Sequence, residues 1–158
     1  MKFLKNLFPK QKRIKGKIVD LVEEQIDPAS ELNQYVKSYY YGIYLHDSFQ
    51  RIGNCDLREG NSAVLYYAGN IGYQINPLHR GHHYAYQACL LLFDLAREKG
   101  MKELIITCSP ENTASRRILE SLNGTFLETV DVPPSHWLYQ RGEKIKRIYK
   151  YDLSGAGL

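Results

Sequence analysis

No apolar run in this chain approaches the ~20 residues that a membrane-spanning helix needs, so no transmembrane segment is expected. Cysteine is scarce. Cys55, Cys89 and Cys108 are three in number, far apart and without a Cys-x-x-Cys pair, which argues against a zinc site or dithiol motif and for reduced thiols in a cytoplasmic protein. The chain lacks both the Gly-Lys-Ser/Thr of a phosphate loop and the three-glycine dinucleotide fingerprint, which leaves ATP, GTP and NAD unsupported. Acidic residues are missing from residues 1–17 and again from every position between Glu59 and Asp94. A base drawn from that second stretch cannot be a carboxylate.

The first of these gaps explains the net charge of +4. Lys2, Lys5, Lys10, Lys12, Arg13, Lys15 and Lys17 are seven of the 21 Lys and Arg, and removing them leaves 14 basic against 17 acidic groups, about −3 for the remainder. The body of the chain is therefore no DNA-binding surface. Phe3, Leu4, Leu7 and Phe8 among the lysines give the N-terminus two readings: a weak membrane-surface or RNA contact, or a solvated extension. Its apolar runs are two residues long, too short for the ~7-residue core of a secretory signal. At 158 residues, 44% hydrophobic and 24% charged, the chain fits a single core. The expected organisation is a basic extension over 1–16, one domain over 17–153 and a tail over 154–158.

Hydrophobic patterning predicts a first strand over Lys17–Ile26, a short helical or irregular stretch to Lys37, and a strand over Tyr39–Leu45. The turn at His46-Asp47-Ser48 leads to an alternating strand around Gly53–Arg58, and a further strand is expected over Val64–Ile75, stopped by Pro77. Ala85, Ala88, Cys89, Leu92 and Ala96 recur at helical spacing between Gly81 and Glu98, with Gly100 as the stop. Leu104–Cys108 reads as a covered strand, Ser109-Pro110 as the start of a helix to Leu122, and Phe126–Val132 and Ile145–Leu153 as final strands. This order describes an α/β (α+β) domain with helices around one mixed sheet.

The stretch Tyr73 to Ala88 places a tight turn between a strand and a helix. A helix N-terminus presents unpaired amides and the positive end of its dipole, so a pyrophosphate would fit there. Gly81 and Ala85 let an anion reach the backbone, and Arg80 adds a charged donor. The same turn can equally be structural. His79, His82 and His83 suggest a metal, but helical directions part the last two and no fourth ligand is evident, so none is expected.

Two segments carry a family resemblance. Arg80-Gly-His-His83-Tyr-Ala85 resembles motif A of the GNAT acetyltransferases, Gln/Arg-x-x-Gly-x-Gly/Ala, with His83 in the place of the middle glycine and with Ile75 and Pro77 matching the end of the family's fourth strand. Asn112-x-x-Ser115-x-x-x-x-Glu120 is similar to the second signature, in the form found in ribosomal-protein alanine and spermidine acetyltransferases. The resemblance covers about residues 17–153. It implies a mostly antiparallel sheet of about seven strands with the fourth and fifth parted, and acetyl-CoA as cosubstrate with no metal.

By the same resemblance, the backbone of Tyr73, Gln74 and Ile75 holds the pantetheine, and the amides of Arg80, Gly81, His82, His83, Tyr84 and Ala85 hold the pyrophosphate. Asn112, Ser115 and Arg116 line the other wall. A helical φ would accommodate His83. Leu119 stands where many members carry the tyrosine that protonates the leaving thiolate, so that role falls elsewhere or to water.

Candidate catalytic residues are Tyr73, Ser115, Cys108 and Glu128; each also has a structural reading, as core, self-bonded helix residue, buried hydrophobe or solvated strand residue. His136, Trp137 and Tyr139 lie in the loop that in this family borders the acceptor, or else simply cover the core. The expected function is acetyl transfer from acetyl-CoA to an amine, on a small molecule or a protein N-terminus, by an enzyme that can be a homodimer. The alternative is a non-catalytic acetyl-CoA sensor or docking module. With no glutamate on the fourth strand, a low-pKa α-amine is the favoured acceptor.

Overall fold

The computed structural model describes residues 11–155. Residues 1–10 of the expected extension and 156–158 of the tail lie outside the described residues.

Five strands form an antiparallel sheet in the order β1-β2-β3-β4-β5: β1 Arg13–Lys15, β2 Val19–Asp27, β3 Ser38–Leu45, β4 Arg51–Arg58 and β5 Ile71–Ile75. Tyr39, Tyr41 and Ile43 fall at every second position of β3, and Cys55 and Leu57 do so on β4, with Ile52 beyond a register shift, burying one face. Helix α2, Tyr84–Glu98, covers that face with Ala85, Ala88, Cys89, Leu92, Phe93, Leu95 and Ala96. A second sheet has the order β6-β8-β7, from β6 Glu103–Cys108, β7 Thr125–Asp131 and β8 Ile145–Asp152. Helix α3, Thr113–Ser121, closes the core with Leu119 against Tyr149 and Tyr151.

Arg13–Lys15, within the stretch read as an extension, pairs with β2 from Arg13↔Val22 to Lys15↔Asp20. Asp20 explains why. Fully buried, it accepts from Arg13 Nε at 2.9 Å, the Gly16 amide at 3.0 Å and the Asp47 amide at 3.0 Å, and meets His46 Nδ1 at 2.9 Å. One carboxylate thus ties β1 to the turn after β3.

Three expectations are corrected. The single sheet is two, divided between β5 and β6. The strand expected over Val64–Ile75 is a short helix α1, Ala63–Ala68, followed by β5 alone. The apolar residues at 64–67 are contiguous rather than alternating, and Gly69, at φ +80, ends the helix where a Cβ would lie 3.2 Å from the Ile105 carbonyl. Helix α3 begins at Thr113 rather than at Pro110, because Asn112 Oδ1 accepts the Ser115 amide at 3.1 Å and makes Asn112 the cap. A last helix, α4 Trp137–Gln140, occupies the loop before β8. His136 anchors it: Nδ1 accepts the Leu138 amide at 3.1 Å, and Nε2 donates to the Val64 carbonyl at 3.0 Å. Among the described residues no helix is long and apolar enough to cross a membrane.

Candidate active site

The division between the sheets begins at a buried asparagine. The Asn70 amide donates to the Ile105 carbonyl at 2.6 Å, and Asn70 Oδ1 accepts the Ile105 amide at 2.8 Å. Asn70 Nδ2 donates to the carbonyls of Arg58 at 2.9 Å and Gly60 at 2.8 Å. The side chain thus stands in for a strand neighbour at this one point. Beyond it β5 and β6 share no ladder. The Asn76 amide bonds across to Ile52 at 2.8 Å, so alternation turns the amide and carbonyl of Tyr73 and Ile75 away from β4, towards the gap.

The gap leads to the turn before α2. Pro77–His79 make a 3-10 turn, Arg80 Nε donates to the Ile75 carbonyl at 3.0 Å, and Gly81 has φ +90 with open space around it. His83 takes φ +62, and α2 starts at Tyr84. The helical φ expected of His83 and the helix start near Gly81 are therefore both corrected. His83 adopts the left-handed conformation that suits the glycine of motif A, a region where His is tolerated better than most side chains. Among the described residues, no amide from Gly81 to Tyr86 donates to a protein acceptor. Those amides and the dipole of a 15-residue helix make this helix start electropositive, with its donors free.

Across the gap, Tyr73 Oη lies 2.5 Å from Ser115 Oγ, joining β5 to the first turn of α3. Two of the four catalytic candidates, Tyr73 and Ser115, are thus brought together. Burial pushes the Tyr73 phenol well above its ordinary range, against the Ser115 hydrogen bond, so it stays protonated and serves as a donor at neutral pH. Cys108 is buried, and burial raises its thiol despite Arg147, Lys146 and Arg116 nearby, which leaves it no nucleophile. Leu119 lies in the core, and its carbonyl accepts from Tyr151 Oη at 2.6 Å.

Glu128 stands apart from this pair. It is exposed on β7, across β8 from β6, and accepts from Tyr66 Oη of α1 at 2.6 Å. Arg116 pairs with Glu120 at 2.9 Å on the outer face of α3, and Gln74 is exposed. His82 stacks on Tyr84, 5.2 Å between centroids. A cluster compact enough for a metal does occur among the described residues, at Asp20, His46 and Asp47, but there Arg13 and backbone amides already satisfy the buried carboxylate. Sequence reasoning missed Asn70, hidden in what reads as a strand, and Asp56, one polar position in an alternating strand.

The Acetyltransferase (GNAT) domain profile matches residues 8–125. This chain belongs to the GNAT acetyltransferase family. It is an acyltransferase of mixed α/β fold.

No curated protein matches the chain by sequence. Among solved structures it resembles ribosomal-protein-S5-alanine acetyltransferase from Vibrio fischeri, with TM-score 0.65 at 11% identity over 90% of this chain and 97% of that one. A probable GNAT acetyltransferase from Chromobacterium violaceum gives 0.64 at 17% over 94% and 92%. RimL, the ribosomal L7/L12 alpha-N-protein acetyltransferase in complex with coenzyme A, gives 0.55 at 17% over 73% and 62%, so the match spans under two thirds of that relative. At these identities the likeness is one of fold.

Proposed function

We propose that this GNAT domain binds acetyl-CoA in the gap between β5 and β6 and transfers the acetyl group to an α-amine, at a protein N-terminus or on a small molecule. One observation carries the reading: two strands clamped together at Asn70 and parted beyond it open directly onto six amides that no protein group occupies. The donors fit the ligand. The free backbone of Tyr73 and the Ile75 amide suit the pantetheine amides, the Gly81–Tyr86 amides with Arg80 suit the pyrophosphate, and Asn112 and Ser115, with Arg116 turned outward onto Glu120, form the α3 wall. Coenzyme A bound to RimL supports the same choice of ligand.

Bound acetyl-CoA supplies an activated acyl group and a thiolate leaving group. In this reading Tyr73 Oη donates the proton that the departing sulfur needs, filling the role left open at Leu119, and Ser115 fixes the phenol. The α-amine is favoured because its pKa, near ~8, lies about 2.4 units below that of lysine, which saves roughly 3 kcal/mol of deprotonation. Relatives whose names specify alanine and alpha-N-protein acetylation support that class. The three free thiols, all buried, support a cytoplasmic setting.

The test is Tyr73→Phe. It should lower kcat by about 10²- to 10³-fold while coenzyme A affinity stays within about threefold. An unchanged kcat would remove Tyr73 from the chemistry.

A further inference from the structure

β5 carries no carboxylate, yet one lies over it. Asp56 of β4 is in register with Gly72 of β5, and a Cβ added to Gly72 would sit 2.5 Å from Asp56 Oδ1 and 3.0 Å from Arg58 Nη2. The aspartate thus fills the place that a β5 side chain would take, and only glycine leaves it room. Neighbouring strand residues face opposite sides of the sheet. Tyr73 packs into the core beneath α2, so Gly72 and Asp56 face the side that bears α1. On that side a cavity of about 350 Å³ is lined by Ser38, Arg58, Val64, Ala68 and Trp137, with Arg58 two residues from Asp56 on the same face.

We propose that Asp56 is the general base of the transfer, taking the proton of the acceptor ammonium on the face opposite Tyr73. This deepens the acetyl-CoA reading above and rests on it. The ammonium yields one proton to the Asp56 carboxylate, directly or through a water. The amine nitrogen then bonds to the acetyl carbon, the carbon–sulfur bond breaks, and sulfur takes the Tyr73 proton. The second nitrogen proton returns to Tyr73 through solvent, and Asp56 releases its own, so one proton leaves per turnover. Base and acid, on opposite faces of the sheet, cannot neutralise each other.

The surroundings of Asp56 suit a base. Burial pushes its carboxyl up, against the Arg58 guanidinium 2.7 Å from Oδ2, and Oδ2 makes no aligned hydrogen bond. Arg58 is itself held by the carbonyls of Ala68 at 3.0 Å and Gly69 at 3.2 Å. Tyr40 faces Asp56 from β3, with Asp27 of β2 beside it, and α1 brings no charged side chain.

The experiment compares kcat/KM against pH for wild type, Asp56→Asn and Asp56→Glu, by thiol release from acetyl-CoA with an alanine-initiated peptide as the probe amine. Coenzyme A affinity and Tm are measured on each variant. Asp56→Asn should lose about 10²-fold or more at neutral pH and recover as pH rises past the amine's own pKa near ~8, with Asp56→Glu retaining more. If Asp56→Asn fails to fold, Gly72→Ala, whose Cβ displaces the carboxylate, should show the same loss. A variant profile that superimposes on wild type with coenzyme A still bound overturns the proposal, as does a wild-type chain that binds but never turns over. Absence of coenzyme A binding removes the underlying reading as well.

Discussion

The two ends of β5 handle backbone hydrogen bonding in opposite ways. At Asn70 a single amide side chain satisfies one donor and two acceptors, and the main chain adds two more bonds, to the Ile105 carbonyl and from the Arg58 amide, so β5 is pinned to β6 with nothing left over. At the other end, amides from Gly81 to Tyr86 have no partner among the described residues, and two residues, Gly81 and His83, hold left-handed φ. An unpaired amide is costly only where water and ligands cannot reach it. The closed end therefore fixes the gap, and the open end leaves its donors free at the mouth of it.

The largest effect should come from breaking the closed end. Asn70→Ala leaves the Ile105 amide and the carbonyls of Arg58 and Gly60 without their partner, and at ~1–3 kcal/mol per stranded group the expected loss is about 3–5 kcal/mol, read from the urea midpoint. A loss under about 1 kcal/mol would mean that water replaces the asparagine.

Next is the open end. Gly81→Asp should weaken coenzyme A by at least about 100-fold, near 2.7 kcal/mol, while Gly60→Asp leaves it unchanged. Both glycines have positive φ, +90 and +115, so backbone strain is common to the pair and only the charge beside the amides differs. Equal affinities would move the anion site elsewhere.

Asp20 extends the comparison to a second closed cluster. Burial pushes its carboxyl up, but hydrogen bonds from His46, the Asp47 amide, Arg13 and the Gly16 amide hold it at about 2 instead of 3.8. A depressed carboxylate stabilises the fold above its unfolded pKa, and that contribution drains as pH falls from ~4 towards ~2. It amounts to about 2 kcal/mol. Stability curves for wild type and Asp20→Asn should converge in acid; parallel curves would contradict the assignment.

The smallest effect is expected at the mouth itself. His83→Gly relieves a left-handed side chain, worth about 1 kcal/mol, but adds about as much unfolded-state entropy, so Tm should barely move. A shift worth more than about 2 kcal/mol would show that His83 makes a stabilising contact or stores larger strain.

The mouth was the more legible of the two ends. Arg80, Gly81 and Ala85 lie within six residues, and the periodicity of α2 announces the helix that follows the turn, though not its first residue. What stayed hidden depends on residues far apart in the chain. Gly69-Asn70 looks like two polar positions in a strand until Ile105 is beside them. Asp56 gains its place over Gly72 only from the register of β4 on β5. Tyr73 and Ser115 could each be named, but not their 2.5 Å contact, which needs the asparagine cap of α3. Glu128 is a carboxylate of a later strand, whereas the one over β5 belongs to the adjacent strand, which no spacing in the sequence points to.

Hydrogen exchange with and without coenzyme A tests the central claim most directly, because it reads the amides themselves. The account predicts slowed exchange at Tyr73, Ile75 and Gly81–Tyr86, with Asn70 and Ile105 already protected and unchanged. Protection confined to other segments, or none at saturating coenzyme A, would contradict it.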